Sequence, residues 1–196
     1  MTTAALVLAA GSSRRLGQPK QLLPYRGRTL LDASLDVARS ANVGHRVVTV
    51  GGAAPEVLET VDFAGFEIVE SVQHTQGCSS SIVSAVANFA DDVSGFALLL
   101  GDQPEVQQAT IDNVVATGVA GHPIVVTDYD DGIGHPFWFG RATFGELTEL
   151  HGDKAVWKLI ESGKFPVHSV VVPGNVPLDV DTWEEYEELL TSIGES

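Results

Sequence analysis

A single cysteine stands among the 196 residues, so no internal disulfide can form, and this usage fits a reducing cytoplasm. No apolar run reaches the ~18 residues of a membrane span. The apolar stretch 4–10 is too short for a signal peptide and has no basic residues before it. Positive charge is scarce: 11 Lys/Arg face 26 Asp/Glu, for a formal net charge of −15. Most of such a surface repels phosphates, which excludes non-specific binding to DNA or RNA. The six histidines show no zinc-type spacing and have no second cysteine to help them. Gly-Lys-Ser/Thr is missing, so there is no P-loop, and no GxGxxG followed by an acidic residue announces a dinucleotide fold. Repeats, low-complexity segments and linkers are also lacking. The expectation is a soluble cytoplasmic protein with neither nucleic acid nor membrane as partner.

What is present is ordinary for a globular chain: 44% apolar and 19% charged residues. The length suits one domain over residues 1–196, with enough chain to enclose its own core. The charge is unevenly spread. Residues 1–50 hold seven Lys/Arg against two Asp/Glu, so the one positive region lies at the N-terminus, where a small anion can be held.

Apolar runs at 3–9, 45–50, 67–72, 95–100, 122–127 and 167–172 read as strands, with a shorter one at 137–139. Helical spacing marks 30–38, 55–61, 80–89, 110–117, 144–150, 155–162 and 182–192. Residues 12–28, rich in Ser, Arg, Gly and Pro, read as a loop. Thr29 or Asp32 stands at the start of the first helix, and Thr182 with Glu184 and Glu185 at the start of the last. Strands separated by helices imply βαβ units: an α/β fold with a doubly wound, mostly parallel sheet and helices on both faces.

Ligands of such sheets sit beyond the C-terminal strand ends. The first of these segments runs from Leu8, Ala9, Ala10 and Gly11 through Ser12, Ser13 and Arg15 to Lys20. Gly11 lets backbone N–H groups approach a phosphate closely, and Arg15 and Lys20 add charge. The same residues also suit a solvated basic loop. Next comes Gly101-Asp102-Gln103-Pro104, whose carboxylate suits either a divalent cation or a turn before proline. In Asp179-Val180-Asp181 two carboxylates point the same way in an extended stretch, and either could join Asp102 at a metal. Ser79 and Ser81 open a helix, where hydroxyls suit a base, ribose or anion. His135 and Asp153 lie in further polar turns.

Together these residues resemble the small nucleotidyltransferases that build molybdenum cofactor dinucleotides. The family opening Leu-Ala-Ala-Gly-x-Ser-x-Arg-Met-Gly-x-x-Lys matches residues 8–20, with Leu16 in place of Met. Gly77-Cys78-Ser79-x-Ser81, Leu100-Gly101-Asp102-Gln103-Pro104, Gly134-His135-Pro136, His151-Gly152-Asp153 and Asp179-x-Asp181-Thr182 follow in family order. Ala10 points to the cytidylyltransferase branch, since guanylyltransferase relatives carry Gly-Gly there. Lys154-Ala155-Val156-Trp157, where relatives show Gly-Ala-Arg, and Trp183, where they show Pro, depart from the pattern.

The resemblance implies a nucleotide-diphospho-sugar-transferase-like fold and transfer of CMP from Mg·CTP to the phosphate of molybdopterin. It implies Arg15, Lys20 and Asp102 as catalytic, and Leu8, Ala9, Ala10, Gly11, Ser12, Ser13, Arg15, Lys20, Ser79, Ser81 and Gly101 as nucleotide-binding. Asp102 and Asp181 would hold Mg²⁺, or Mn²⁺ in its place, and His135 and Asp153 would face the acceptor. A recipient molybdoenzyme or its chaperone would be the protein partner. The alternatives are a nucleotidyltransferase with another NTP or phosphorylated acceptor, a nicotinamide-dependent oxidoreductase, and a non-catalytic cofactor carrier.

Overall fold

The computed structural model describes residues 1–51, 54–71, 78–149, 152 and 155–194. Its frame begins with β1 (Thr2–Ala9), whose side chains alternate between two cores. β1 pairs in parallel with β4 (His45–Val50) on one side and β6 (Val93–Leu100) on the other. β5 (Glu67–Glu70) extends the sheet beyond β4. Beyond β6 lie β8 (Gly132–Gly140), β7 (Ile124–Tyr129) and β9 (Val167–Val171), giving seven strands in the order β5-β4-β1-β6-β8-β7-β9. Only β8 runs antiparallel to its neighbours. A small hairpin, β2 (Pro24–Tyr25) with β3 (Arg28–Thr29), stands apart.

The expected doubly wound, mostly parallel architecture is present. On one face, α1 (Leu30–Ser40), α2 (Ala54–Thr60) and α4 (Gln108–Val119) bury Leu31, Leu35, Val57, Ile111 and Val114 against Ala5, Val7, Val48 and Leu99. On the other, α3 (Cys78–Asn88), α5 (Phe144–Thr148) and α6 (Ala155–Glu161) bury Ile82, Phe144, Leu147 and Leu159 against Leu6, Phe96, Phe137 and Phe139. The closing helix α7 (Trp183–Ser192) packs Tyr186 and Leu189 on Leu16, Leu23, Tyr25 and Leu30. No helix among the described residues is long and apolar enough to cross a membrane.

Three local readings change. The strand expected at 137–139 is nine residues long, because its glycine-bearing start pairs with β7 and only the aromatic centre is apolar enough to stand out. β5 stops at Glu70, and Val72 lies outside the described residues. Within the expected loop 12–28 a 3₁₀ turn, Lys20–Leu22, and strand β2 form.

Candidate active site

From β1 the chain winds one way to β4 and β5; from β6 it continues the other way. The crevice beyond the ends of β1 and β6 is thus the topological switch point. Gly101 continues the pairing, its N–H donating to the Leu8 carbonyl at 2.9 Å. A Cβ there would lie 3.0 Å from both Ala9 Cβ and Leu31 Cδ1, so the backbone must approach bare. Gly11 differs: its Cβ would meet only Lys20 Cε, at 3.8 Å. The chain's own packing leaves that position open.

Residues 11–19 are pinned at both ends. The buried Gln21 donates through Nε2 to the carbonyls of Ala9 (2.7 Å) and Gly11 (3.0 Å). Ser13, at φ 47°, accepts from the N–H groups of Leu16 and Gly17 through its carbonyl, and from the Lys20 N–H through Oγ at 2.9 Å. Leu16 anchors the middle of the loop against Leu23 and Leu30. Lys20 therefore leaves a fixed turn, aimed across the strand ends.

Its ammonium meets Asp102 Oδ2 at 2.5 Å and Asp181 Oδ1 at 2.7 Å. The side chains of Lys20 and Asp102 are only 16% and 9% exposed, whereas that of Asp181 is 52% exposed. Arg15, on the solvent side, reaches the other Asp181 oxygen at 3.4 Å. Burial alone would lower the Lys20 pKa, but the charges and hydrogen bonds of Asp102 and Asp181 outweigh it and the net shift is upward. Lys20 in turn holds Asp181 below the usual carboxylate range.

Asp179 behaves otherwise. Burial and the Asp102 charge push it up, against the hydrogen bond from Gln103. Gln103 Nε2 ties Asp179 Oδ1 (2.6 Å) to the Pro177 carbonyl (2.8 Å). Val180, fully buried between the two carboxylates, leaves both facing the same cleft. Thr182 forms the capping box of α7 with Glu185, so Asp181 is not consumed as the cap.

These groups line a cleft of about 480 Å³, within the range of small-molecule sites. Of the residues singled out from the sequence, Leu8 to Ser12, Lys20, Ser81, Gly101, Asp102, His135 and Asp181 line it. Ser13 supports the loop from behind, Arg15 stands at the solvent edge, and the buried Ser79 is not in the wall. Asp153, and Gly77 ahead of the serine segment, lie outside the described residues. His135 lies against Phe137 in a tilted ring pair (centroids 4.3 Å apart), and burial pushes its pKa down to about 4, so it is neutral at physiological pH. The neighbouring turn is fixed by Tyr129 Oη donating to the His135 carbonyl and Thr127 Oγ1 to that of Pro136.

Sequence reasoning missed Gln21 and Trp157. Gln21 adjoins Lys20 but carries no motif of its own. Trp157 lines the cleft and meets Phe137 edge-on at 5.3 Å; its place among the departures at 154–157 was the available signal.

Two carboxylates from separate loops converging on one cation suit a hard divalent ion that takes its other oxygens from phosphate and water. Among the described residues no group of three His, Cys, Asp or Glu could hold a metal unaided. A glycine-bearing loop at the end of β1, a buried lysine and paired carboxylates at a switch point define a class of site: one for a phosphorylated ligand.

The chain belongs to the family of MobA-like NTP transferase domains, which residues 5–168 match. This is the nucleotidyltransferase family expected from its motifs. Rv0371c of Mycobacterium tuberculosis H37Rv is 49% identical with a TM-score of 0.92, over 97% of this chain and 98% of that one. A structure of the same protein in complex with manganese is 47% identical (TM-score 0.89), over 98% and 100%. Purine catabolism protein PucB of Bacillus subtilis is 29% identical in an alignment of 195 residues that covers 92% of each chain. Nicotine blue oxidoreductase of Paenarthrobacter nicotinovorans is 36% identical in an alignment of 116 residues that covers 57% of this chain and 55% of that protein.

Proposed function

We propose that the protein transfers CMP from metal-bound CTP to the terminal phosphate of molybdopterin. An acceptor phosphate oxygen attacks the α-phosphorus, and the bond to the departing pyrophosphate breaks in line. The acceptor oxygen is already a nucleophile, so no general base is needed and catalysis is positioning plus charge neutralisation. The observation that carries this reading is the Lys20 ammonium held between Asp102 and Asp181 beside the 8–12 loop.

In this reading the N–H groups of residues 10–12 and the Arg15 guanidinium hold the triphosphate, with Ser81 in the wall beside it. Lys20 neutralises charge at the reacting phosphate. A divalent ion, Mg²⁺ or Mn²⁺, when held by Asp102 and Asp181, supplies further neutralisation. The neutral His135 ring and Trp157 offer an apolar, flat-walled surface to the acceptor, with Asp153 assigned to the same side by motif alone. The likeness to a protein named as an oxidoreductase favours one second reading, binding of a nicotinamide cofactor. The cytoplasm is the proposed location, and a recipient molybdoenzyme or its chaperone the proposed partner.

Calorimetric titration with CTP, GTP, ATP and NADP⁺, each with and without Mg²⁺, tests this. Magnesium-dependent preference for CTP is expected. Preference for GTP or ATP would keep the chemistry and replace the product. Binding of NADP⁺ alone would overturn the transferase reading, and molybdopterin binding without pyrophosphate release would make the protein a carrier.

A further inference from the structure

Lys20 serves two carboxylates at once. Its ammonium lies within 2.7 Å of an oxygen from each of Asp102 and Asp181, which come from loops otherwise separate. Two carboxylates brought this close repel, and a cation between them relieves the repulsion. In this structure that cation is part of the chain. A second cation bound by the same two oxygens would meet the ammonium charge at close range, in a setting where Lys20 and Asp102 are largely shielded from water.

Lysine suits a temporary post, because its charge rides on a flexible four-carbon stem and is satisfied equally by carboxylate or phosphate oxygens. Asp181 also has somewhere to remain. Arg15 holds its Oδ2, whereas Lys20 holds Oδ1, so departure of Lys20 frees one oxygen without releasing the whole carboxylate.

We propose that Lys20 is a built-in stand-in for the divalent ion: without nucleotide it occupies Asp102 and Asp181, and it gives them up only when a triphosphate offers it oxygens instead. Free divalent ions therefore bind poorly, and the site takes up the metal–nucleotide complex. This rests on reading Asp102 and Asp181 as the metal pair of a nucleotidyltransferase.

The test is binding of Mn²⁺ alone to the full chain, followed by the electron-paramagnetic-resonance signal of the free ion, with no nucleotide present. Lys20→Met and Lys20→Gln are each expected to bind Mn²⁺ at least ~10-fold more tightly than the unmodified protein, about 1.4 kcal/mol. Adding Asp102→Asn to Lys20→Met should abolish that gain. Single variants that bind no more tightly than the unmodified protein overturn the proposal, as does a gain that survives Asp102→Asn. Thermal melts establish that the variants fold. Should neither fold, the unmodified protein decides: Mn²⁺ affinity that is the same with and without a non-hydrolysable CTP analogue overturns the proposal, and a large gain with the analogue supports it. Absence of Mn²⁺ binding even with the analogue sinks the underlying transferase reading. Normal binding with the analogue, together with unchanged Lys20 variants, sinks only the stand-in role.

Discussion

At the scale of residues, Lys20 and Asp102 are shielded charges aimed into the cleft, and the proposed function makes both of them carriers of the chemistry. Replacing either by alanine should lower CTP-dependent pyrophosphate release at least ~100-fold, the scale of losing one preorganised charge-stabilising group. Near-normal release from a folded variant would remove that residue from the mechanism. His135 carries a different consequence. Its pKa in the fold is about 4, below the ordinary value of 6.5, so between these values the unfolded chain binds more protons than the folded one. Stability should fall as the pH drops from 6.5 towards 4. His135→Asn should flatten that part of a melting-temperature profile, and an unchanged slope would show that the ring is not desolvated. Both side chains stand in matched motifs, but only packing reveals their states: the ion pairs of Lys20 join residues that no local pattern connects, and the protonation state of His135 follows from its burial in the fold.

At the scale of elements, helix α4 and strands β6 and β8 meet around one indole. Trp138 is 1% exposed, and a Cβ on either Gly118 or Gly95 would lie 2.3 Å from its ring. Gly118→Ala gains about 1 kcal/mol of helix propensity, whereas overpacking costs about 1–3 kcal/mol. Against a fully enclosed ring the steric cost wins. The net loss of up to about 2 kcal/mol corresponds to a drop in melting temperature of up to about 8 °C, from about 2–4 °C per kcal/mol for a chain of this size. A rise would mean that the indole can move aside. The elements themselves were largely legible. The apolar runs of β1, β4 and β6 are short and bounded by turn residues, and Thr29 with Asp32 marks the start of α1 through a capping box. The reversal of β8 was not, because alternation of side chains is the same whichever way a strand runs.

At the scale of the whole molecule, a net charge of −15 sets the balance of long-range forces. Self-repulsion opposes compaction, and ion pairs such as Arg28 with Asp36, Arg141 with Asp91 and Lys164 with Glu146 are exposed enough to return little. Raising salt from ~0.01 M to ~0.15 M shortens the Debye length from about 30 to about 8 Å. Melting temperature should rise over that interval, and a fall would show that attractive pairs such as Lys20 with Asp102 dominate. The sequence by itself determined the order of strands and helices, the α/β class, and the loop that follows β1, because periodicity, caps and turn residues act over a few positions. Only the tertiary structure decided which charges meet. Lys20 lies 82 positions from Asp102 and 161 from Asp181. Their convergence depends on the adjacency of β1 and β6, on Gln21 fastening the loop, and on burial of Val180, which turns Asp179 and Asp181 towards the cleft. Such contacts follow from how whole elements pack, and no stretch of chain encodes them alone.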